Sequence, residues 1–435
     1  MSGTVDVAQY LPADGEALAR RSLSAMALGI VGSEILKIAA DVRKMVAEGR
    51  SVVNLTVGDF APAEFRIPPG LEKGIRDALA SGQTNYPPSD GVLELRKAVV
   101  DFVERQQGLR FPVESVLISG GARPLLYSAY RSILDPGETV VYPVPSWNNN
   151  HYCHVSSANG IAVKCSPERA FLPTPDDLLP YLPEARLLVL NSPLNPTGTA
   201  FGERALEEVA RAVVDENRRR EAAGARSLMV IYDQVYSCLT SDNAPHQDPV
   251  RLVPEMAPYV VLIDGISKAF AATGLRVGWC LGAPPVIARM RDLVGHMGAW
   301  APRPEQLATA ELLRDRPAVD AYLAEIRGGV SARLNALYEG LMALKAEGLP
   351  VDAIAPAGAI YLSAKLALHG RDGLRTNDDV RRWVLREAGT AVVPFQAFAY
   401  PEDDGWFRMS VGAVSVDACT QAMVRLGEAL RRLPA

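Results

Sequence analysis

Short apolar runs alternate with longer amphipathic stretches through the middle of the chain, and this alternation restricts the possible folds more than any other feature. The stretches 123–134 and 203–222 have helical periodicity. The runs between such stretches predict buried strands, because they are short and aliphatic; they are 116–118, 139–141, 187–190, 228–231 and 260–263. The pattern predicts an α/β fold with a mainly parallel sheet between helices.

The pattern changes near residue 302, which predicts a second, smaller α+β domain. The segment 319–347 is long enough for one extended helix, 359–366 is typical of an α+β stretch, and 416–433 predicts an amphipathic helix. Near the start of the chain, 33–47 predicts a helix and 52–55 a strand. We expect a large domain, 61–302, and a small domain, 303–435, with which the N-terminal segment 1–60 packs.

Composition argues against several classes of partner. The net charge is -5, and the only basic run, 218–220, is interpreted as the cap of an exposed helix, so we expect neither nucleic acid nor membrane as a partner. The five cysteines form no C-x-x-C pair, which predicts no metal site and no disulfide framework. With no apolar stretch of about 20 residues and no signal-peptide core, we expect a cytoplasmic protein.

Four chemically distinctive segments follow predicted strands, where ligands bind in open α/β sheets. They contain Gly121, Asn195, Asp233 and Lys268. Each also has an ordinary interpretation: a loop lysine is usually solvated, Asp233 could cap a helix, and glycine-rich turns are common. The functional interpretation is that Asp233 needs a buried cationic partner, and that the glycine turn admits an anion at a helix N-terminus.

The order of these segments resembles that of the class I/II aminotransferases of fold type I, over nearly the whole chain. The shared motifs are Asn-Ser-Pro-x-Asn-Pro-Thr-Gly at 191–198, Asp-x-x-Tyr at 233–236 and Ser-Lys-x5-Gly-x-Arg-x-Gly at 267–278. The resemblance implies pyridoxal 5'-phosphate as cofactor, with Lys268 as the Schiff-base lysine and the later acid/base. It implies transfer of an amino group from an L-amino acid of aspartate, glutamate or aromatic type to a 2-oxo acid.

The resemblance also assigns residues to the cofactor ring. Asp233 would keep the pyridine nitrogen protonated, while Asn195 and Tyr236 would bond the phenolate oxygen and lower the pKa of the imine. Trp147 would stack on the ring, although a packed core tryptophan is the alternative at this position. These assignments predict a pocket at the ends of three strands.

For the cofactor phosphate, the resemblance implies the backbone at Gly121, Ala122 and Arg123, with Arg276 as the charged clamp. Tyr86 resembles a tyrosine that reaches the phosphate of the neighbouring subunit, which implies a homodimer with shared active sites. Position 265 is glycine where many relatives have a phosphate-binding serine. Ser267, or the opposite subunit, could make that contact instead.

For the substrate, the resemblance implies that Arg408 binds the α-carboxylate. Gly58 matches a family glycine whose backbone contacts the same carboxylate. Side-chain specificity stays open, since Trp300 could line an apolar pocket and Arg303 could bind a distal carboxylate. The aromatic residues of 394–400 could line the pocket or simply pack. A lyase or decarboxylase with the same cofactor is the alternative function, and a non-catalytic regulator that has kept the fold is a third.

Overall fold

The computed structural model of this chain describes residues 4–32 and 34–434, apart from the side chain of Leu36. The chain forms two compact units, Met1–Ser33 and Glu34–Ala435. Within the first unit, α1 spans Gly15–Ser22 and α2 spans Ala25–Leu28, with Asp14 and Ser24 as their N-caps. Ser33, the first residue of the helix predicted at 33–47, lies outside the described residues.

The second unit contains the remaining helices and all the strands that the structure describes. The strands are β1 Val53–Asn54, β2 Val116–Ser119, β3 Thr139–Val144, β4 Asn159–Lys164, β5 Ala185–Asn191, β6 Met229–Asp233, β7 Val260–Gly265, β8 Gly278–Leu281, β9 Val351–Ala353, β10 Tyr361–Leu366, β11 Thr390–Ala391, β12 Val393–Pro394 and β13 Trp406–Ser410. The helices are α3 Glu34–Ala47, α4 Pro69–Ala80, α5 Leu93–Gln107, α6 Ala122–Ile133, α7 Asn149–Ser156, α8 Pro175–Leu178, α9 Glu203–Ala222, α10 Pro249–Leu252, α11 Ile266–Ala269, α12 Pro284–Met297, α13 Arg303–Arg314, α14 Arg316–Ala346, α15 Asn377–Ala388 and α16 Val416–Arg432.

The central sheet has seven strands in the order β2-β8-β7-β6-β5-β3-β4. Strand β8 runs antiparallel to both of its neighbours, β2 and β7, whereas the other paired strands are parallel. The prediction of a mainly parallel sheet in an α/β fold is therefore confirmed.

Both faces of this sheet are buried, as expected for parallel strands covered by helices. Along β5, Leu188 and Leu190 pack in one hydrophobic cluster with residues of α5 and α9. Leu187 and Val189 point the other way, into a second cluster with residues of α6 and α12. This two-sided burial explains why the strand sequences are almost continuously apolar.

The ends of three central strands lie level with one another and form the floor of the candidate site. Asn191 of β5 pairs with Asp233 of β6, and Asp233 pairs with Ile263 of β7. Since the three strands are parallel, the segments that follow them leave the same edge of the sheet. Residues far apart in sequence are thereby brought together.

Two smaller sheets lie outside the central one. Strands β12, β13, β10 and β9 form an antiparallel sheet in that order, and β1 pairs in parallel with β11. The pairing of Val53 with Thr390 joins the start of the second unit to its C-terminal part. Strand β13 carries Arg408.

The basic run 218–220 lies at the end of α9, but the prediction of an exposed cap is wrong for Arg220. Its side chain is buried, pairs with Glu216 at 2.6 Å and donates to the carbonyl oxygens of Leu182 and Ala185. It therefore ties α9 to β5. Within 4–32 and 34–434, no helix combines the length and apolar composition needed to cross a membrane.

Candidate active site

Lys268 lies one turn after β7, in the short helix α11. Its Nζ donates to the carbonyl oxygen of Gly58 at 2.7 Å. Burial lowers the pKa of this amine to about 8; the carboxylate of Asp59 opposes that change, and nearby arginines, Arg408 first among them, reinforce it. A lysine with a lowered pKa has a larger neutral fraction and is a better nucleophile near pH 7.

Asp233 ends β6 and faces the same region as the amine. Burial raises the pKa of its carboxyl to about 6, while the backbone N–H of Val235, at 3.2 Å from Oδ1, and the charge of Lys268 lower it. A desolvated carboxylate is costly without a partner. A cationic N–H donor, such as a protonated pyridine, would stabilise its ionised form.

Asn195 lies in the turn after β5, and Tyr236 follows Asp233 by three residues. The backbone N–H of Asn195 donates to Asn191 Oδ1 at 2.9 Å, which fixes the turn. The hydroxyl of Tyr236 is 2.6 Å from that of Tyr361 on β10. The turns that follow β5 and β6 thus carry the amide of Asn195 and the hydroxyl of Tyr236, respectively.

Arg408 is only 1% exposed, although it carries a guanidinium. Its Nη1 donates to Asn195 Oδ1 at 3.1 Å and its Nη2 to Thr56 O at 2.6 Å. The guanidinium carbon lies 4.6 Å from the ring centre of Tyr361 and 4.8 Å from that of Phe398. Burial lowers its pKa.

This guanidinium is suited to receive an anion from outside the chain. Among the described residues, Nε of Arg408 has no hydrogen-bond partner and no carboxylate forms an ion pair with the group. A buried cation without a counter-ion is unfavourable. A substrate carboxylate would complete the pairing with the fork geometry that arginine favours.

A second place suited to an anion lies at the turn between β2 and α6. Gly121 precedes the helix at φ +93°, and a Cβ there would overlap the guanidinium of Arg276. Arg276 donates to Thr273 O at 2.6 Å and to Gly120 O at 3.0 Å, so it lies across the helix N-terminus. Backbone N–H groups beside a guanidinium form a suitable phosphate cradle.

Arg123 and Trp147 form one wall near this turn. The guanidinium carbon of Arg123 lies 5.5 Å from the Trp147 ring, which also contacts Phe398 at 6.1 Å between centres. Ala122 is the first residue of α6, and Ser267 is partly exposed directly before the lysine.

Three predicted site residues form a separate group. Tyr86 is 81% exposed and touches Trp300 edge-on, with ring centres 5.1 Å apart. Arg303 begins α13 and donates to Gln83 Oε1 at 2.9 Å. The group adjoins the turn between β2 and α6 through the backbone, where the N–H of Gly120 donates to Ala299 O at 2.8 Å.

Two residues close to Lys268 escaped the sequence prediction. Asp59 accepts a hydrogen bond from Thr273 Oγ1 at 2.5 Å and affects the lysine pKa. It directly follows Gly58, a predicted site residue, and this position was an available signal. Tyr361 gave no signal, because its neighbours in sequence are ordinary strand residues.

The chemistry of these groups fits pyridoxal phosphate. The amine of Lys268 could react with its aldehyde, and the buried carboxylate of Asp233 suits its ring nitrogen. An amide and a hydroxyl suit the ring oxygen, and the glycine turn with Arg276 suits the phosphate. No cluster of three or more potential metal ligands occurs in the described part of the chain.

Comparison with known proteins agrees with this chemistry. The family model for aminotransferase class I and II matches residues 50–426. An aspartate/prephenate aminotransferase of Thermus thermophilus is 31% identical over 95% of this chain and 100% of its own length. A solved structure of the aspartate aminotransferase from Thermus thermophilus with maleate has a TM-score of 0.83 at 28% identity, covering 94% of this chain and 100% of that one.

A solved aromatic aminotransferase from Pyrococcus horikoshii is also similar, with a TM-score of 0.78 at 27% identity over 90% of this chain and 98% of that one. The match to the family model spans most of the chain, and the fold agrees with it. The chain therefore belongs to the class I and II aminotransferases and is a pyridoxal-phosphate-dependent aminotransferase.

Proposed function

We propose that this enzyme transfers the amino group of an acidic or aromatic L-amino acid to a 2-oxo acid, with Lys268 holding the cofactor. The observation that carries this proposal is the position of Gly58 between two charged groups. Its carbonyl oxygen accepts from Lys268, and a Cβ on it would lie 3.7 Å from Arg408 Nη1. A substrate carboxylate on Arg408 would therefore bring its Cα toward the amine.

The substrate classes are proposed from the names of similar proteins and from the charge of the site. The name of one similar protein contains aspartate and prephenate. The descriptions of two similar structures contain maleate and an aromatic aminotransferase, respectively. Trp300 and Arg303 remain the proposed residues for side-chain specificity, through apolar contact or a distal carboxylate respectively. The contact of Trp300 with the exposed Tyr86 supports a role for Trp300 at the mouth of the site.

Each proposed residue acts on a different part of the reaction. When bound, pyridoxal phosphate supplies an aldehyde and an electron-withdrawing ring that accepts the electrons of the substrate Cα–H bond. Asp233 would hold the proton on the ring nitrogen, and Asn195 and Tyr236 would donate to the ring oxygen. Lys268 would act as the general base that takes the proton from the substrate Cα and as the general acid that gives it to the cofactor carbon.

The remaining proposed contacts hold the cofactor in place. Arg276 and Ser267 bind the phosphate, together with the backbone that begins α6 at Gly121, Ala122 and Arg123. Trp147 would pack on the ring face.

We expect Gly121→Ala to weaken cofactor binding by at least about tenfold. The new methyl group would displace the guanidinium of Arg276, and strain at positive φ adds about 1–3 kcal/mol. Gly224→Ala is the matched control, since Gly224 has φ +65° and nothing near its Cβ position. Equilibrium dialysis with pyridoxal phosphate measures both variants, and equal affinities in the two would contradict the proposed cradle.

Arg408→Lys should reduce kcat/KM for amino acids and 2-oxo acids by roughly 10- to 100-fold. A lysine keeps the charge but cannot make the paired hydrogen bonds, each worth about 1.5–3 kcal/mol with a charged partner. Inhibition by maleate should weaken in parallel. Arg381→Lys is the control, because Arg381 is also buried but pairs with Asp378. An unchanged maleate constant in Arg408→Lys would exclude the carboxylate role.

We also propose a homodimer with shared active sites, in which the exposed Tyr86 reaches the phosphate of the partner. The proposed domains are 61–302 and 303–435, and the segment 1–60 is proposed to pack with the second of them. The pairing of β1 with β11 supports this packing for residues 53–54. A reducing compartment such as the cytoplasm is proposed from the five cysteines, all buried and unpaired.

A donor and acceptor panel with product identification tests the proposed function. Aspartate, glutamate and aromatic donors should each yield a 2-oxo acid and a new amino acid in equal amounts when an acceptor is present. Release of carbon dioxide or ammonia in place of the new amino acid would favour the decarboxylase or lyase alternative.

A further inference from the structure

The start of β10 is fastened to both of the turns that carry the proposed cofactor residues. Ser363 Oγ donates to Thr197 O at 2.8 Å, in the turn that contains Asn195. The N–H of Ala359 donates to Leu239 O at 2.8 Å, in the segment that follows Tyr236. Tyr361 lies between these two attachments, so its position is fixed by the same turns that form the site.

The side chain of Tyr361 touches two residues with different proposed roles. Its hydroxyl is 2.6 Å from that of Tyr236, and its ring centre is 4.6 Å from the guanidinium carbon of Arg408. A Cβ at Gly58 would lie 2.8 Å from the same hydroxyl. Only 1% of the surface of Tyr361 is exposed, so the side chain is enclosed at this junction.

We propose that Tyr361 is a positioning residue that directs the Tyr236 hydroxyl to the ring oxygen of the cofactor, and whose ring holds Arg408 in place for the substrate carboxylate. This inference rests on the proposed function, because it assumes the roles given there to Tyr236 and Arg408. The hydroxyl and the ring of Tyr361 thus have separable tasks.

The hydroxyl task follows from counting donors. Each tyrosine hydroxyl has one proton and two acceptor lone pairs. Burial raises the pKa of Tyr361 and Tyr236 above the ordinary value, so both hydroxyls keep their protons. When Tyr361 donates to Tyr236, the proton of Tyr236 is free for the ring oxygen, and a hydroxyl that accepts a bond becomes a stronger donor.

The ring task follows from the environment of the guanidinium. Arg408 is enclosed by the aromatic faces of Tyr361 and Phe398, and a desolvated cation is attracted to such faces. Removal of one face would let the guanidinium move away from the position in which it meets a carboxylate.

Two variants of the cofactor-loaded enzyme separate these tasks. Tyr361→Phe keeps the ring but lacks the hydroxyl. The pKa of the cofactor imine, measured as the midpoint of the absorbance change with pH, should rise by about one unit, as expected for the loss of one hydrogen bond. The dissociation constant of this variant for maleate should stay within about twofold of wild type. Tyr361→Leu should raise the midpoint similarly and weaken maleate binding by roughly tenfold.

Tyr400→Phe is the matched control, since Tyr400 is also buried and its hydroxyl bonds Asp404 at 3.1 Å; it should change neither quantity. If the absorbance midpoint falls or stays constant in Tyr361→Phe, the proposed role of the hydroxyl is wrong. If maleate binding is unchanged in Tyr361→Leu, the proposed role of the ring is wrong. Failure of the wild-type protein to bind pyridoxal phosphate would contradict the proposed function as well, whereas an unaltered midpoint in an active variant contradicts only this inference.

Discussion

Replacement of Lys268 by alanine should lower the turnover of amino transfer by roughly 10⁴-fold, the upper range for a positioned proton-transfer group. The variant lacks both the amine proposed to hold the cofactor and the base proposed to act at the substrate Cα. Borohydride treatment of wild-type enzyme should attach the cofactor permanently at Lys268, which peptide mapping by mass spectrometry would locate. The same treatment of the variant should attach none at this position.

Lys164→Ala is the control for this prediction, because Lys164 is an exposed lysine paired with Glu402. It should retain wild-type turnover and the attachment at Lys268. Lys268→Arg adds a charge-preserving test and should be as impaired as the alanine variant, since a guanidinium stays protonated. Wild-type turnover in either Lys268 variant would exclude the covalent role.

The second large effect is expected for Asp233→Asn, which should reduce kcat/KM by roughly 10²- to 10⁴-fold. Loss of one partner of a buried ion pair costs about 3–5 kcal/mol, and the neutral amide would no longer keep the ring nitrogen protonated. Steady-state kinetics measures the loss, and Asp233→Glu should recover part of it because it restores the carboxylate.

Asp248→Asn is a close control for this change. Asp248 is also buried and its pKa is likewise raised to about 6 by burial, but it caps α10 instead of facing the lysine. Its substitution should affect thermal stability and leave kcat/KM near the wild-type value. Equal losses in the two variants would show that burial alone, and not the partner of Asp233, accounts for the effect.

The sequence was most informative where structure and chemistry are both local. Strands β5, β6 and β7 could be predicted because buried parallel strands are short and apolar. The residues that follow them share one edge of the sheet, so Asn195, Asp233 and Lys268 could be expected to lie close together. The helix α9 was predicted with the bounds that the structure shows, Glu203–Ala222.

Contacts between distant segments were harder to predict. Tyr361 is separated from Tyr236 by 125 residues, and only the folding of β10 against the two turns brings the hydroxyls together. The antiparallel direction of β8 depends on how the chain returns after Lys268, which apolar periodicity does not report. Arg220 was predicted to be exposed because it lies in a run of arginines. Its burial depends on carbonyl oxygens of another segment, at Leu182 and Ala185, which the local sequence does not reveal.

A single-turnover reaction with an amino donor alone tests the central claim most directly. Cofactor-loaded enzyme is mixed with aspartate, glutamate or an aromatic amino acid, without any 2-oxo acid acceptor. We predict one equivalent of 2-oxo acid per active site, together with conversion of the bound cofactor to its aminated form, and loss of both in Lys268→Ala. An absence of this conversion with every donor, or release of carbon dioxide or ammonia in its place, would contradict the account.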